Sequence, residues 1–254
     1  IYIPNTIFLR FFDKFKYYLI NLDNETILNY DNLINLCIMV KNGGEQFKQM
    51  LIDNLDIIDR WTILDTGSSD NTINYINEVL SQKKGELYQE PFINFRDSRN
   101  RLLDLAGKTC KYTLMLDDTY IVKGNLRKFL IETRSDQFSD SFSIFLRSFD
   151  SEYGSNRILK SHLNIRYLYK IHEVIDPDKN NNVIIPNNDA YIEDRTFDYM
   201  QERTMERKKL DFKLLQEELE DNPNNPRTYY YIAQTFSVIK DYKNAFEWFS
   251  KRVS

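Results

Sequence analysis

Two adjacent carboxylates, Asp117 and Asp118, follow directly on the apolar run Leu114-Met-Leu116. Oxygen ligands of this kind suit a hard divalent ion, and such an ion neutralises a diphosphate. Three other apolar runs end in the same abrupt way. Leu36-Cys-Ile-Met-Val40 gives way to Lys41-Asn42, Ile63-Leu64 to Asp65-Thr-Gly-Ser-Ser-Asp70, and a third stretch leads to Ser98-Arg99-Asn100. Taken singly, each has a structural use: an Asp pair serves a turn or a cap, and Ser69 or Asp70 caps a following helix. Taken together, they place polar groups where ligands sit when parallel strands end at a common edge. The chemistry that fits is recognition of a nucleotide diphosphate.

The elements that must carry these groups alternate. From Leu33 an apolar run to Val40 is followed by a predicted helix from Glu45 to about Leu55. Then come a strand Trp61 to Leu64, a helix Asn71 to Leu80, a short strand near Leu87, a helix Ser98 to Leu105 and a strong strand Tyr112 to Leu116. Strand and helix in alternation predict an α/β fold with parallel pairing. Beyond Asp118, apolar segments at Phe142 to Leu146, Ile165 to Ile171 and Tyr191 to Ile192 predict a mixed sheet on the acceptor side.

Residues 1–32 are predicted as an N-terminal extension with an amphipathic helix over Phe8 to Leu22. Residues 33–196 form the sheet domain, and 197–254 a helical region. Its first helix, Phe197 to Leu219, ends at Asp221-Asn-Pro-Asn-Asn-Pro226, and helices over Pro226 to Val238 and Asp241 to Val253 follow. The spacing of Tyr229, Ala233, Phe236, Ala245 and Phe249 is similar to one tetratricopeptide repeat.

With 254 residues, 42% of them hydrophobic, the chain can bury one sizeable core and a small appendage. A net charge of −4 gives no general attraction to nucleic acid. Cys37 and Cys110 sit beside apolar strands, as inert buried thiols do in a reducing compartment. No run reaches the roughly 20 apolar residues of a membrane span. The start does not read as a signal peptide, so a cytoplasmic location is expected. The chain begins without Met and stops inside a helical pattern at Ser254, the expectation for a piece of something longer.

Met39-Val-Lys-Asn42, Asp65-Thr-Gly-Ser-Ser-Asp70, Ser98-Arg-Asn100, Leu116-Asp117 and His172-Glu173 occur in an order that resembles the family 2 glycosyltransferases of GT-A fold, in the branch with C-terminal tetratricopeptide repeats. The likeness covers roughly Leu33 to Ser254. It implies a Rossmann-like mixed sheet flanked by helices, with a helical hairpin of tetratricopeptide type. It also implies a metal-dependent, inverting, hexosyltransferase-type activity that moves a sugar from a nucleoside diphosphate, UDP foremost, to a protein, peptide or glycan. By resemblance, Val40, Lys41 and Asn42 line the nucleotide pocket, Gly67 makes a tight turn beside it, and Asp65 addresses the base. Arg99 and Asn100 lie beside the diphosphate. Asp117, Asp118 and His172 are the implied ligands of Mn2+ or Mg2+. Glu173 and His172 are the implied catalytic groups, with Asp150 and Glu152 behind them as bases.

Two departures stand out. The family reads Leu-Asp-Ala-Asp-Glu where this chain has Leu116-Asp-Asp-Thr-Tyr120, so Thr119 replaces the second, metal-binding Asp. Asp118 taking over the ligand role, weak coordination by Thr119 with water filling the shell, and a silent domain that only binds or scaffolds are the three explanations. Gly43-Gly44 also stands where the family has acidic residues. Arg147, Arg157 and Arg166 fall in the acceptor half, where surface arginines commonly serve solubility and packing.

Overall fold

The computed structural model describes residues 32–149, 151–195 and 200–253, with the side chains of 200–206 left aside. The predicted helix over Phe8 to Leu22 and the candidate base Asp150 lie outside the described residues. Within them, strands β1 (Asn32–Val40), β2 (Arg60–Asp65), β3 (Lys84–Gln89) and β4 (Cys110–Leu116) form a parallel block in the order β3-β2-β1-β4. Helices α1 (Gly44–Asn54), α2 (Thr72–Leu80) and α3 (Phe95–Ala106) connect them. β1 is buried along nearly its whole length, which is why it reads as a continuous apolar run rather than an alternating one.

The sheet continues past β4 through β5 (Tyr120–Gly124), β6 (Ser141–Arg147), β7 (Glu152–Lys160), β10 (Asn182–Ile184) and β11 (Ala190–Asp194). Here the pairing is mixed. β7 runs antiparallel to both β4 and β6, β11 is parallel to β6 and antiparallel to β5, and β10 pairs with β6. A helix α4 (Leu126–Glu132) follows β5. The mixed sheet flanked by helices is the architecture expected.

One expectation for the second half is revised. The apolar stretch Ile165 to Ile171 yields only β8 (Tyr167–Leu168), paired with β9 (Val174–Ile175) in a separate two-stranded sheet. Tyr169 and His172 adopt left-handed backbone angles, φ 67° and 50°, and no extended strand can pass through such residues. β5, α4 and β7 are additions. β7 is buried only over its last three residues and so carries no alternation to detect.

One core cluster joins β1, β2 and β4 to α1, with Phe47, Met50 and Leu51 almost wholly buried. Each such side chain contributes about 1.5–3 kcal/mol of burial. On the other face Leu102 and Ala106 of α3 pack on Cys37, Leu64 and Met115. Both cysteines are buried and unbridged, and burial pushes their thiol pKa values up, that of Cys110 to about 11. Thiols held protonated in this way are poor nucleophiles, as expected.

The chain ends in α5 (Met200–Asp221), α6 (Pro226–Val238) and α7 (Tyr242–Val253). Leu214, Leu215 and Ile232 pack on Ile171, which ties the helices to the segment after β8. No helix among the described residues is long and apolar enough to cross a membrane.

Candidate functional site

The register sets Val40 beside Asp65 and Ile38 beside Leu116, so β1, β2 and β4 end at one edge. At that edge the chain leaves β4 through a turn in which the Tyr120 N–H donates to the Asp117 carbonyl at 3.2 Å. Asp117, Asp118 and Thr119 are thereby presented to a cavity of about 920 Å³. Its volume lies at the upper end of the range for small-molecule sites, roughly 300–1,000 Å³.

Of the residues named from sequence, Val40, Lys41, Arg99, Asp117, Asp118, His172 and Glu173 line this cavity together. Asn42, Asp65, Gly67 and Asn100 are absent from its lining and work behind it. Asp65 is fully buried, and its carboxylate accepts the backbone N–H groups of Gly67 and Ser68 at 3.1–3.2 Å. Gly67 has φ 104°, the left-handed region that favours glycine. The Ser69 N–H donates to Asn42 Oδ1 at 2.7 Å, and the Asn42 N–H to Ser68 Oγ at 2.8 Å, stitching the two edge loops together. The Gly43 N–H joins them by donating to Thr72 Oγ1 at 2.8 Å. A Cβ at Gly43 would stand 2.6 Å from Cβ of Phe47, so the glycine there reflects close approach. Asn100 exchanges two hydrogen bonds with the Tyr167 backbone, 3.0 and 2.8 Å, and so anchors β8.

Arg99 is delivered by α3, whose start is fixed by Asn94: its Oδ1 accepts the Asp97 N–H at 2.8 Å. One turn in, Arg99 is 5% exposed. It donates from Nη2 to Asp117 Oδ1 at 2.5 Å and from Nε to Glu173 Oε1. Arg157 approaches the other carboxylate oxygen, its Nη2 3.3 Å from Asp117 Oδ2. The antiparallel register Leu114↔Ile158 carries Arg157 alongside the end of β4. Burial alone would raise the Asp117 pKa. The charges of Arg99 and then Arg157 outweigh it and hold the carboxyl well below the usual range.

His172 lines the cavity beside α6. Its ring stacks on Tyr231 of α6, centroids 4.0 Å apart and planes within 16°, and its carbonyl accepts from Arg227. Burial pushes the imidazole pKa down to about 4. Glu152 is engaged at the surface by Arg147 Nε at 3.0 Å and Asn187 Nδ2 at 2.8 Å. Arg166 pairs with Asp104 at 2.6 Å.

Among the described residues no group of three or more His, Cys, Asp or Glu side chains gathers closely enough to hold a metal ion. Both oxygens of Asp117 face guanidiniums, and Thr119 donates its hydroxyl to Asp194 Oδ1 at 2.7 Å. A divalent ion about 5 Å from one of those guanidiniums would be repelled by roughly 7 kcal/mol at an effective dielectric of ~20. As placed, Asp117, Asp118 and His172 do not gather into a three-ligand set for Mn2+ or Mg2+.

The sequence left Arg157 among unassigned arginines and did not single out Asp194 or Tyr231. All three line the cavity. Asp194 is half-buried and its pKa is raised by burial. The order of motifs carries no sign of any of them, because each arrives through pairing remote in sequence.

No protein-family model matches the chain, and no curated protein does. Solved structures share its fold. S. aureus TarS residues 1–349 in complex with UDP-GlcNAc superposes with a TM-score of 0.50 at 12% identity, over 81% of this chain and 73% of that one. The same fragment in complex with UDP gives 0.50 at 11% identity, over 81% and 72%. A longer TarS structure gives 0.51 at 11% identity, over 80% of this chain and 43% of that one.

Proposed function

We propose that the cavity binds a nucleoside diphosphate sugar, UDP being the nucleotide, and transfers the sugar to a protein, peptide or glycan acceptor with inversion, as a GT-A enzyme does. The observation that carries this reading is the Arg99–Asp117–Arg157 constellation, set in a large cavity where parallel strands end. The fold is shared with a protein crystallised with UDP-GlcNAc and with UDP.

Transfer requires that an acceptor hydroxyl attack the anomeric carbon as the bond from that carbon to the diphosphate oxygen breaks. The diphosphate leaves with the electron pair, and the hydroxyl proton must pass to a base. Glu173 is the assigned base. Its Oε1 is fixed by Arg99, which orients the carboxylate toward the cavity it lines. His172 is the weaker choice, since an imidazole with a pKa near 4 takes up a proton poorly at neutral pH. Positive charge beside the leaving group comes from the guanidiniums. Val40 and Lys41 form the nucleotide end, with Asn42, Asp65, Gly67 and Asn100 holding its loops and β8 in shape. The α6–α7 pair, read as a tetratricopeptide-type hairpin, would hold a partner or acceptor.

One observation favours a second reading, a sugar-nucleotide-binding module without turnover: Thr119 stands at the second carboxylate position of the family's motif. Incubation with a panel of UDP-sugars separates the two. The enzyme reading expects UDP release that falls about 10²- to 10⁴-fold in Glu173→Gln. UDP binding without release from any donor supports the module, and failure to bind UDP at all overturns both.

A further inference from the structure

The cationic groups facing the cavity come from both halves of the molecule. Arg99 belongs to α3 and Arg157 to β7, and they meet on opposite oxygens of one carboxylate. The Nη1 of Arg99 is buried and has no hydrogen-bond partner, although its Nε and Nη2 are both engaged. A desolvated guanidinium nitrogen without an acceptor is costly, and an anionic oxygen would satisfy it. Arg157 is aimed independently. Its Nε donates to Ser155 Oγ at 2.9 Å, and the guanidinium lies over the Tyr120 ring at 5.0 Å. Lys41 and Arg207 line the same cavity.

Resting on the reading of this cavity as a nucleoside-diphosphate site, we infer that the diphosphate is held by Arg99 and Arg157, and that nucleotide binding needs no divalent ion. A hard cation needs carboxylate oxygens that are not already neutralised, and Asp117 offers none. Thr119 is turned to Asp194, and the His172 ring is stacked on Tyr231. The Nη1 of Arg99, by contrast, is a charged donor left over for a phosphate oxygen. Asp117 then acts as a spacer. Its single negative charge keeps two like charges side by side, in the geometry an incoming phosphate meets.

Calorimetric titration of UDP into the full chain, once in EDTA and once in Mn2+, tests this. The dissociation constants should agree within about threefold. Arg157→Gln should weaken binding about 10- to 100-fold in both conditions. Arg157→Lys, which keeps the charge and loses the fork, should fall between. The thermal transition of each variant reports its folding, and if the Gln variant does not fold, the Lys variant carries the test. Binding seen only with Mn2+, or Arg157 variants that bind like the parent, would overturn the inference and leave the nucleotide site standing. No UDP binding in either condition would overturn both.

Discussion

The parallel half of the sheet, β1 to β4 with α1 to α3, and the mixed half, β5 to β11, meet at Asp117 and are built by different means. In the parallel half, the edge loops are held from within that half, partly by neighbours close in sequence and partly by the Asn42–Ser69 and Gly43–Thr72 bonds between loops. Asp65 serves Gly67 and Ser68, and Asn94 serves Asp97. In the mixed half, groups are held by partners far away: Glu173 by Arg99, Asp194 by Thr119, the His172 carbonyl by Arg227. Bonds within one half form with that half, whereas those from Glu173 and Asp194 exist only once the whole sheet has closed. The first half is therefore a scaffold, and the second supplies what is particular to this chain.

The contrast predicts its own weak point. Arg99→Ala would leave Asp117 and Glu173, one from each half, without their shared cation. A loss of about 2–4 kcal/mol is expected, because Glu173 is left without its cation while Asp117 keeps Arg157 on its other oxygen. Chemical denaturation checks this, and a change below about 1 kcal/mol would mean that the β4–β7 pairing and apolar packing join the halves without Arg99.

A smaller effect isolates the scaffold. Gly85 on β3 faces Trp61, and an added Cβ would stand 2.3 Å from Cδ2 of that indole and 2.4 Å from the Trp61 carbonyl oxygen. Gly85→Ala should destabilise by roughly 1–3 kcal/mol, as overpacking does. An unchanged thermal midpoint would show that the edge strand shifts freely.

The smallest effect belongs to the mixed half. His172 has a folded pKa near 4 against 6.5 for the free side chain. Between those values the unfolded chain binds more protons, so stability is full above pH 6.5 and falls as pH drops toward 4. His172→Phe, which keeps the stack on Tyr231, should flatten that window by about 1–2 kcal/mol. Equal slopes in parent and variant would show that the ring is solvated rather than buried.

The same division explains what could be read in advance. Strands β1, β2 and β4 and the carboxylate at Asp117 follow from apolar runs that end in polar residues, a signal contained within a few positions, whereas Val40, Lys41 and Arg99 as pocket residues come from the family resemblance. Asp65 and Asn100 were legible as special, but their side chains serve backbone groups of the scaffold, and composition does not distinguish that use from ligand contact. β8 shrank to two residues because Tyr169 and His172 turn left-handed, and apolar content does not report backbone sign. Arg157 and Asp194 owe their positions to the β4–β7 and β5–β11 pairings, which no local pattern encodes.

The stack of His172 on Tyr231 carries one more consequence. Tyr231 and Arg207 come from the terminal helices, yet both form part of the cavity wall. Removing the helices from Met200 onward would take part of that wall away. The two parts cannot be exchanged like cassettes: a foreign helical appendage would have to bring its own aromatic ring to the same spot, and anything that pries α6 away from outside would be felt by whatever occupies the cleft.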